Sequence, residues 1–228
     1  MIHLAVDTSH SRGQICLFEN DRLLTSHFWE KQGSHSELLN LIFLEALEEQ
    51  DLEVKAINHI FCVTGPGSFT GLRVGINFCK SLAYALSLPI SPINSLDLLA
   101  GQCDESGRPI LAAIDAQRNS MFISRFPNQD LLSPDVSNEI VPLDQLEHVL
   151  EEECFCCGQA WERYWNHIPQ ALRGKILKKT QWEKPDLTGF IPKILTEDSL
   201  SKQHWQQIQP LYIRLSAAEE KRLADSLS

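Results

Sequence analysis

Ala5-Val6-Asp7-Thr8 opens the stretch AVDTSHSRGQICLFEND, and Ala113-Ile114-Asp115-Ala116 opens AIDAQRNSMFISRFPNQD. Each is an apolar strand that ends in aspartate, passes through a polar turn and enters a second apolar strand. Asp7 and Asp115 stand almost half the length of the 228-residue chain apart. An apolar strand ending in Asp is common by itself. A match that continues through a turn and a second strand reads as a duplicated α/β unit. The division between the copies is expected in the polar stretch Gln102-Cys103-Asp104-Glu105-Ser106-Gly107, where a breaker follows several charges. Residues 1–103 plus 210–228 are then assigned to a first lobe and residues 104–209 to a second.

Working outward from Asp7, Ile2 to Val6, Gln14 to Glu19 and Arg22 to Trp29 read as a three-stranded meander with the turn signal Asn20-Asp21. Ser34 and Glu37 have capping-box spacing ahead of a helix to about Gln50. A strand from Ile57 to Val63, the turn Thr64-Gly65-Pro66-Gly67 and a helix from about Ser68 to Leu86 follow. Pro89 and Pro92 bracket a short strand, and Asn94 or Ser95 can cap a helix through Ala100. Beyond Pro134 the pattern suggests a helix from Leu143 to Glu152, a strand from Cys154 to Cys157, helices near Trp161 and Pro185, and a terminal helix from Ala217 to Leu227.

The composition, 43% hydrophobic and 22% charged, is that of a globular chain and excludes disordered, collagen-like and coiled-coil classes. No apolar run approaches the ~18 residues that a membrane span needs. The first residues lack the basic region and apolar core of a signal peptide, so a cytoplasmic location is expected. The seven cysteines are irregularly spaced, mostly inside apolar stretches, and read as reduced thiols. A net charge of −10 opposes a phosphate backbone, so the isolated chain is expected to bind tRNA or DNA only weakly.

The strongest local motif is Gly65-Pro66-Gly67-Ser68-Phe69-Thr70-Gly71-Leu72-Arg73-Val74-Gly75. Two readings stand. A glycine-rich turn leading into a helix can aim backbone N–H groups at a phosphate. Alternatively, Gly71 and Gly75, one helical turn apart, let the helix pack closely on a neighbour. The packing reading is favoured, because mid-helix Gly costs ~1 kcal/mol against Ala and needs a reason. The motif lacks the Gly-Lys-Ser/Thr ending of a Walker A loop and the Gly-x-Ser-x-Gly of a nucleophile elbow. Asp7-Thr8-Ser9 and Asp115 end equivalent strands. They suit either nucleotide contact or a hydrogen bond to the next turn's backbone.

GPGSFTGLRVG, Asn94-Ser-Leu-Asp-Leu-Leu-Ala100, Asp115-Ala-Gln-Arg-Asn-Ser-Met-Phe122 and Pro210-Leu-Tyr-Ile-Arg214 together resemble the TsaB (YeaZ) family of bacteria. The resemblance spans nearly the whole chain, closely from Ile2 to Ala100 and loosely from Pro127 to Gln209. It implies a two-lobed actin-like, sugar-kinase-like fold. It also implies a non-catalytic partner subunit in the formation of N6-threonylcarbamoyladenosine beside the tRNA anticodon. The catalytic paralogue TsaD and the ATPase TsaE would be partners, with tRNA engaged only through the complex and ATP or ADP at or near the interface. In TsaD a His-x-x-x-His pair can hold a metal; here Ser95 and Leu99 stand at those positions, and His35 does not rebuild the pair. No metal and no tightly held cofactor are therefore expected. Gln117 and Phe122 depart from the family's usual Arg and Tyr.

By the same resemblance, the helices from Ser36 and Ser68 meet the paralogue's equivalent pair as a four-helix bundle. Leu38, Leu41, Ile42, Gly71, Leu72, Gly75, Phe78 and Cys79 would form the contact, the glycines admitting a foreign helix. The apolar arc of the first helix is wider than one ~100° stripe, and self-association without a partner would follow. The phosphate or nucleotide alternative would use Asp7, Thr8, Ser9, Gly65, Gly67 and Ser68. Cys154-Phe155-Cys156-Cys157 reads as a buried strand rather than a metal site. Arg173, Lys175, Lys178 and Lys179 form the one concentrated basic patch, read as a solvated face before an RNA contact. Two other classes remain in view. An actin-fold phosphotransferase or ATPase would act through Asp7 and Asp115, and a hydrolase would need a nucleophile and base that the sequence does not reveal.

Overall fold

β1 (Ile2–Asp7) is buried along almost all its length, so both of its faces must be covered. Leu4 and Val6 point into one core cluster and Ala5 into another. A computed structural model describes residues 1–30, 35–103, 107–127, 135–178, 184–196 and 201–213. β1 pairs antiparallel with β2 (Arg12–Glu19), which pairs with β3 (Arg22–Glu30). On its other side β1 runs parallel to β4 (Ile57–Gly65), and β4 to β5 (Ile90–Asn94). The order β3-β2-β1-β4-β5 places the meander on one edge and the parallel crossovers on the other. α1 (His35–Glu49) and α2 (Phe69–Leu86) make those crossovers, and α3 (Ser95–Gly101) leads from β5 toward the second sheet.

The second sheet repeats this plan. β6 (Ile110–Asp115), β7 (Ser120–Phe126), β8 (Val136–Pro142), β9 (Cys154–Cys157) and β10 (Ile176–Lys178) assemble in the order β8-β7-β6-β9-β10. β6 takes the place of β1, antiparallel to β7 and parallel to β9. α4 (Gln159–Tyr164) follows β9 as α2 follows β4, and α5 (Gln170–Arg173) precedes β10. The second lobe is the more economical copy.

Two expectations are corrected. The helix expected from Leu143 to Glu152 is a 3₁₀ segment, Leu143–His148. Only Leu143 and Leu146 are buried in it, and that three-residue spacing suits the tighter turn. The return to the first lobe, expected at residue 210, occurs by Pro185. Leu187, Phe190 and Ile191 of α6 (Leu187–Thr196) pack on Ala5, Phe18 and Phe61. Gln14, 2% exposed, holds the entry to α6 by accepting from Leu187 N at 2.8 Å and donating to Asp186 at 2.8 Å. The 3₁₀ segment Trp205–Gln207 then leads Ile208 into the α2 core. Gln203 exchanges two backbone hydrogen bonds with Ile90. Ser34 and the helix expected at Ala217–Leu227 lie outside the described residues.

Beneath the first sheet, His3 and His59 are buried with ring centroids 5.7 Å apart. His59 Nε2 meets Ser91 Oγ at 3.0 Å. Burial first, then the charge of His3, lowers the His59 pKa to about 4. The ring is therefore neutral when folded, while the unfolded chain takes up a proton near pH 6.5. This stability is complete above pH 6.5 and is lost as pH falls toward 4. Urea unfolding at pH 7 and pH 5 should show a drop that is smaller in His59→Gln, which cannot titrate. Equal drops in both proteins would contradict the assignment.

Candidate site at the glycine turn and the cleft between the lobes

β4 reaches its end at Gly65, whose φ of +119° only glycine adopts without strain. Ser68 caps α2, its Oγ accepting from Gly71 N at 3.3 Å. This turn and helix end rest directly on the β1–β2 turn. Ser68 N donates to Ser9 O at 2.7 Å, and Thr8 Oγ1 donates to Gly71 O at 2.8 Å. A Cβ on Gly71 would lie 2.0 Å from Thr8 O, and one on Gly75 2.2 Å from Thr8 Oγ1. Gly67 is pressed likewise against Ser9 O, at 2.5 Å from its notional Cβ. The glycines are therefore a seat for residues 8 and 9 of the same chain.

That contact accounts for Gly67, Gly71 and Gly75 by packing within the chain. The six residues of the phosphate reading do come together, but their polar groups answer one another. Asp7, 2% exposed, accepts from Ser9 N at 2.8 Å and Ser9 Oγ at 2.6 Å. Gly65 faces Leu72 and Leu211, not the cleft. The second lobe repeats the device: Asp115 Oδ1 accepts from Gln117 N at 2.8 Å. Asp115 also accepts from Tyr164 Oη at 2.6 Å, and its Oδ2 pairs with Arg163 at 3.1 Å. Each aspartate holds the turn after its own strand, as Asx turns do.

Ser9 Oγ lies between two partners, 2.6 Å from Asp7 Oδ1 and 2.6 Å from His10 Nδ1. Burial, opposed by the nearby Asp7 carboxylate, lowers the His10 pKa and keeps the ring neutral.

Between the lobes lies a cleft of about 650 Å³, with Ser9–Ser11, Gly67 and Ser68 on one side and Asp115, Gln117 and α4 on the other. Leu99, 1% exposed, is part of its lining, and Ser95, 0% exposed, reaches Ser9 Oγ at 3.5 Å. Among the described residues no three His, Cys, Asp or Glu gather as metal ligands. Phe122 is a buried core residue and Gln117 an exposed one at φ 62°. Lys175 and Arg173 of the basic patch hold the chain's own carbonyls, Lys175 Nζ donating to Leu150 O at 2.8 Å and Arg173 Nε to Ile168 O at 3.0 Å. The Lys178 side chain and Lys179 lie outside the described residues.

The partner-contact reading divides. Leu41 is 58% and Leu44 55% exposed. Leu38, Ile42 and Phe78 are half-buried on the core rim. Leu72 and Cys79 are 1% and 0% exposed, and with Gly71 and Gly75 they are corrected to interior positions, because that side of α2 faces β4 and Thr8. Sequence reasoning missed Gln14, Arg163 and Tyr164, none of which carries a motif.

Two sheets of identical order, each with a strand-end aspartate that holds its own following turn, define a two-lobed α/β chain of actin-like architecture. A family model described as TsaD, tRNA N6-adenosine threonylcarbamoyltransferase, matches residues 30–144. The chain is 30% identical to the tRNA threonylcarbamoyladenosine biosynthesis protein TsaB of Bacillus subtilis (strain 168), over 97% of each. It is 29% identical to TsaB of Escherichia coli (strain K12), over 96% of each. A Pseudomonas aeruginosa crystal structure, described as an uncharacterized protein with similarity to peptidase YeaZ, superposes with a TM-score of 0.77 at 23% identity, over 93% of this chain and 99% of that one. The chain belongs to the TsaB (YeaZ) family.

The Thr8 seat makes a signed prediction. Gly75→Ala would raise helix propensity by ~1 kcal/mol, yet its Cβ meets Thr8 Oγ1, and overpacking costs about 1–3 kcal/mol. Gly75→Ala should lower the denaturation midpoint, and adding Thr8→Ala should recover part of the loss. A stabilised single variant would show that the seat is not tight.

Proposed function

We propose that this chain is a non-catalytic subunit that takes part in forming N6-threonylcarbamoyladenosine in tRNA by binding a TsaD-type catalytic protein. The observation that carries the reading is the contrast between its two candidate surfaces. At the glycine turn the strand-end aspartates and the Ser68 N–H are engaged by the chain itself, while α1 presents Leu41 and Leu44 to solvent. Two exposed leucines one helical turn apart, backed by half-buried Leu38 and Ile42, form a surface that a second helix pair can cover. The names of the TsaB relatives support the role in threonylcarbamoyladenosine biosynthesis. The TsaD-described match over residues 30–144, which contains α1 and α2, supports a partner of that type. With a net charge of −10, tRNA is engaged through the complex. A TsaE-type ATPase, ATP or ADP near the interface, self-association and a cytoplasmic location belong to the same proposal. No helix among the described residues is long and apolar enough to cross a membrane.

A phosphotransferase acting through Asp7 and Asp115 is the weaker reading, because both carboxylates are committed to their own turns. The test is co-purification with a TsaD-type protein, followed by tRNA modification assays. Leu41→Asp and Leu44→Asp should abolish capture and modification while circular dichroism stays unchanged. Intact capture by the double variant, or ATP turnover by the isolated chain, would overturn the proposal.

A further inference from the structure

One flank of α2 carries a stripe that the leucines of α1 do not share. Phe69, Arg73, Lys80 and Tyr84 recur at i, i+4, i+11 and i+15, which places them in one row along the helix, about 22 Å long at 1.5 Å per residue. Phe78, on the other side of the helix, meets Phe43 of α1 edge-on at 5.3 Å, so the row points away from α1. Residues 201–213 run alongside it. Lys80 Nζ donates to Ile208 O at 3.0 Å, Tyr212 stacks on Phe69 with ring centroids 4.8 Å apart, and Trp205 meets Tyr84 edge-on at 5.3 Å. Aromatic pairs therefore stand at both ends of the row, with Phe69 and Tyr212 exposed and Tyr84 exposed to 68%. The Arg73 guanidinium lies 5.2 Å from the Phe69 ring. Tyr84 and Trp205 line a recess of about 600 Å³ together with Leu88, Pro89 and Lys202, and no carboxylate is among its lining residues.

The charge pattern of this strip is an independent observation. The chain has 30 Asp and Glu, yet residues 54–96 and 201–213 contain none. Among the described residues no carboxylate pairs with Arg73 or Lys202, and both are exposed. A chain of net charge −10 thus keeps one strip of cations and open rings. Two such cations are too few to hold a duplex, whose affinity grows with the number of phosphates neutralised. A single strand needs fewer, because its unstacked bases lie on aromatic faces while Lys and Arg meet its phosphates. An acidic protein surface would use the cations and leave the rings without a role.

We propose that this strip binds a single-stranded RNA loop, its bases on the Phe69–Tyr212 and Tyr84–Trp205 pairs and its phosphates at Arg73 and Lys202. That the loop is one of tRNA rests on the proposed function; the RNA contact is read on the chain by itself. The test is fluorescence anisotropy of the full chain at low ionic strength, with an anticodon stem-loop RNA and an RNA duplex of equal length. The stem-loop should bind about tenfold tighter than the duplex or more. Tyr84→Ala and Lys202→Glu, both at exposed positions, should each weaken stem-loop binding about tenfold, with circular dichroism unchanged and capture by a TsaD-type protein retained. The Leu41→Asp and Leu44→Asp double variant should still bind the stem-loop, so that failure of the partner reading and failure of this one are read separately. Absence of stem-loop binding, equal binding of the duplex, or stem-loop binding unchanged in Tyr84→Ala would each overturn the proposal. Loss of capture with RNA binding retained in Tyr84→Ala or Lys202→Glu would overturn it too, by making the strip a protein contact.

Discussion

Thr8 lies against Gly71 and Gly75 with no room for a single added carbon, and the first lobe is arranged around that contact. It fixes α2 against the end of β1 and brings Ser68 N within 2.7 Å of Ser9 O. Mid-helix glycines cost helix stability, and here they permit a hydrogen bond between Thr8 Oγ1 and Gly71 O. The second lobe uses a shorter version of the device. Gly158, at φ +101°, lies so close to Ala113 O that a Cβ would be 2.1 Å away. Both lobes thus press the turn after their fourth strand onto their first strand or the turn that ends it.

The consequence for function is a division of labour across the surface. In an actin-like frame, the two strand-end aspartates and the glycine turn are where phosphate chemistry would be placed. Here Asp7 and Asp115 each hold their own following turn, Arg163 and Tyr164 close over Asp115, and Ser9 is locked between Asp7 and His10. What is left open is the α1 surface around Leu41 and Leu44. That commitment of the strand-end carboxylates is the physical ground on which we propose a role exercised through contact.

The duplication was legible from Asp7 and Asp115 because each strand-turn-strand copy keeps its apolar run and polar turn. The glycine spacing was legible as close packing, but spacing does not say on what. Only the fold shows that the neighbour is Thr8 rather than a foreign helix. Leu187, Phe190 and Ile191 show an amphipathic helix, yet period alone cannot say which sheet receives it, so the return to the first lobe was placed too late. β10 has three residues, too few for alternation to show. The 3₁₀ segment after Pro142 was mistaken for a longer helix, because an apolar pair three residues apart suits either. Gln14 and Arg163 take their roles from partners distant in sequence, which no local pattern records.

The central claim is that the glycine turn is occupied by its own chain rather than built for phosphate. Hydrogen exchange at the Ser68 amide, measured with and without Mg-ATP, tests it directly. If the amide is held by Ser9 O, it exchanges slowly and its protection does not change with nucleotide. Fast exchange in the free protein that becomes slow on adding Mg-ATP would contradict the account.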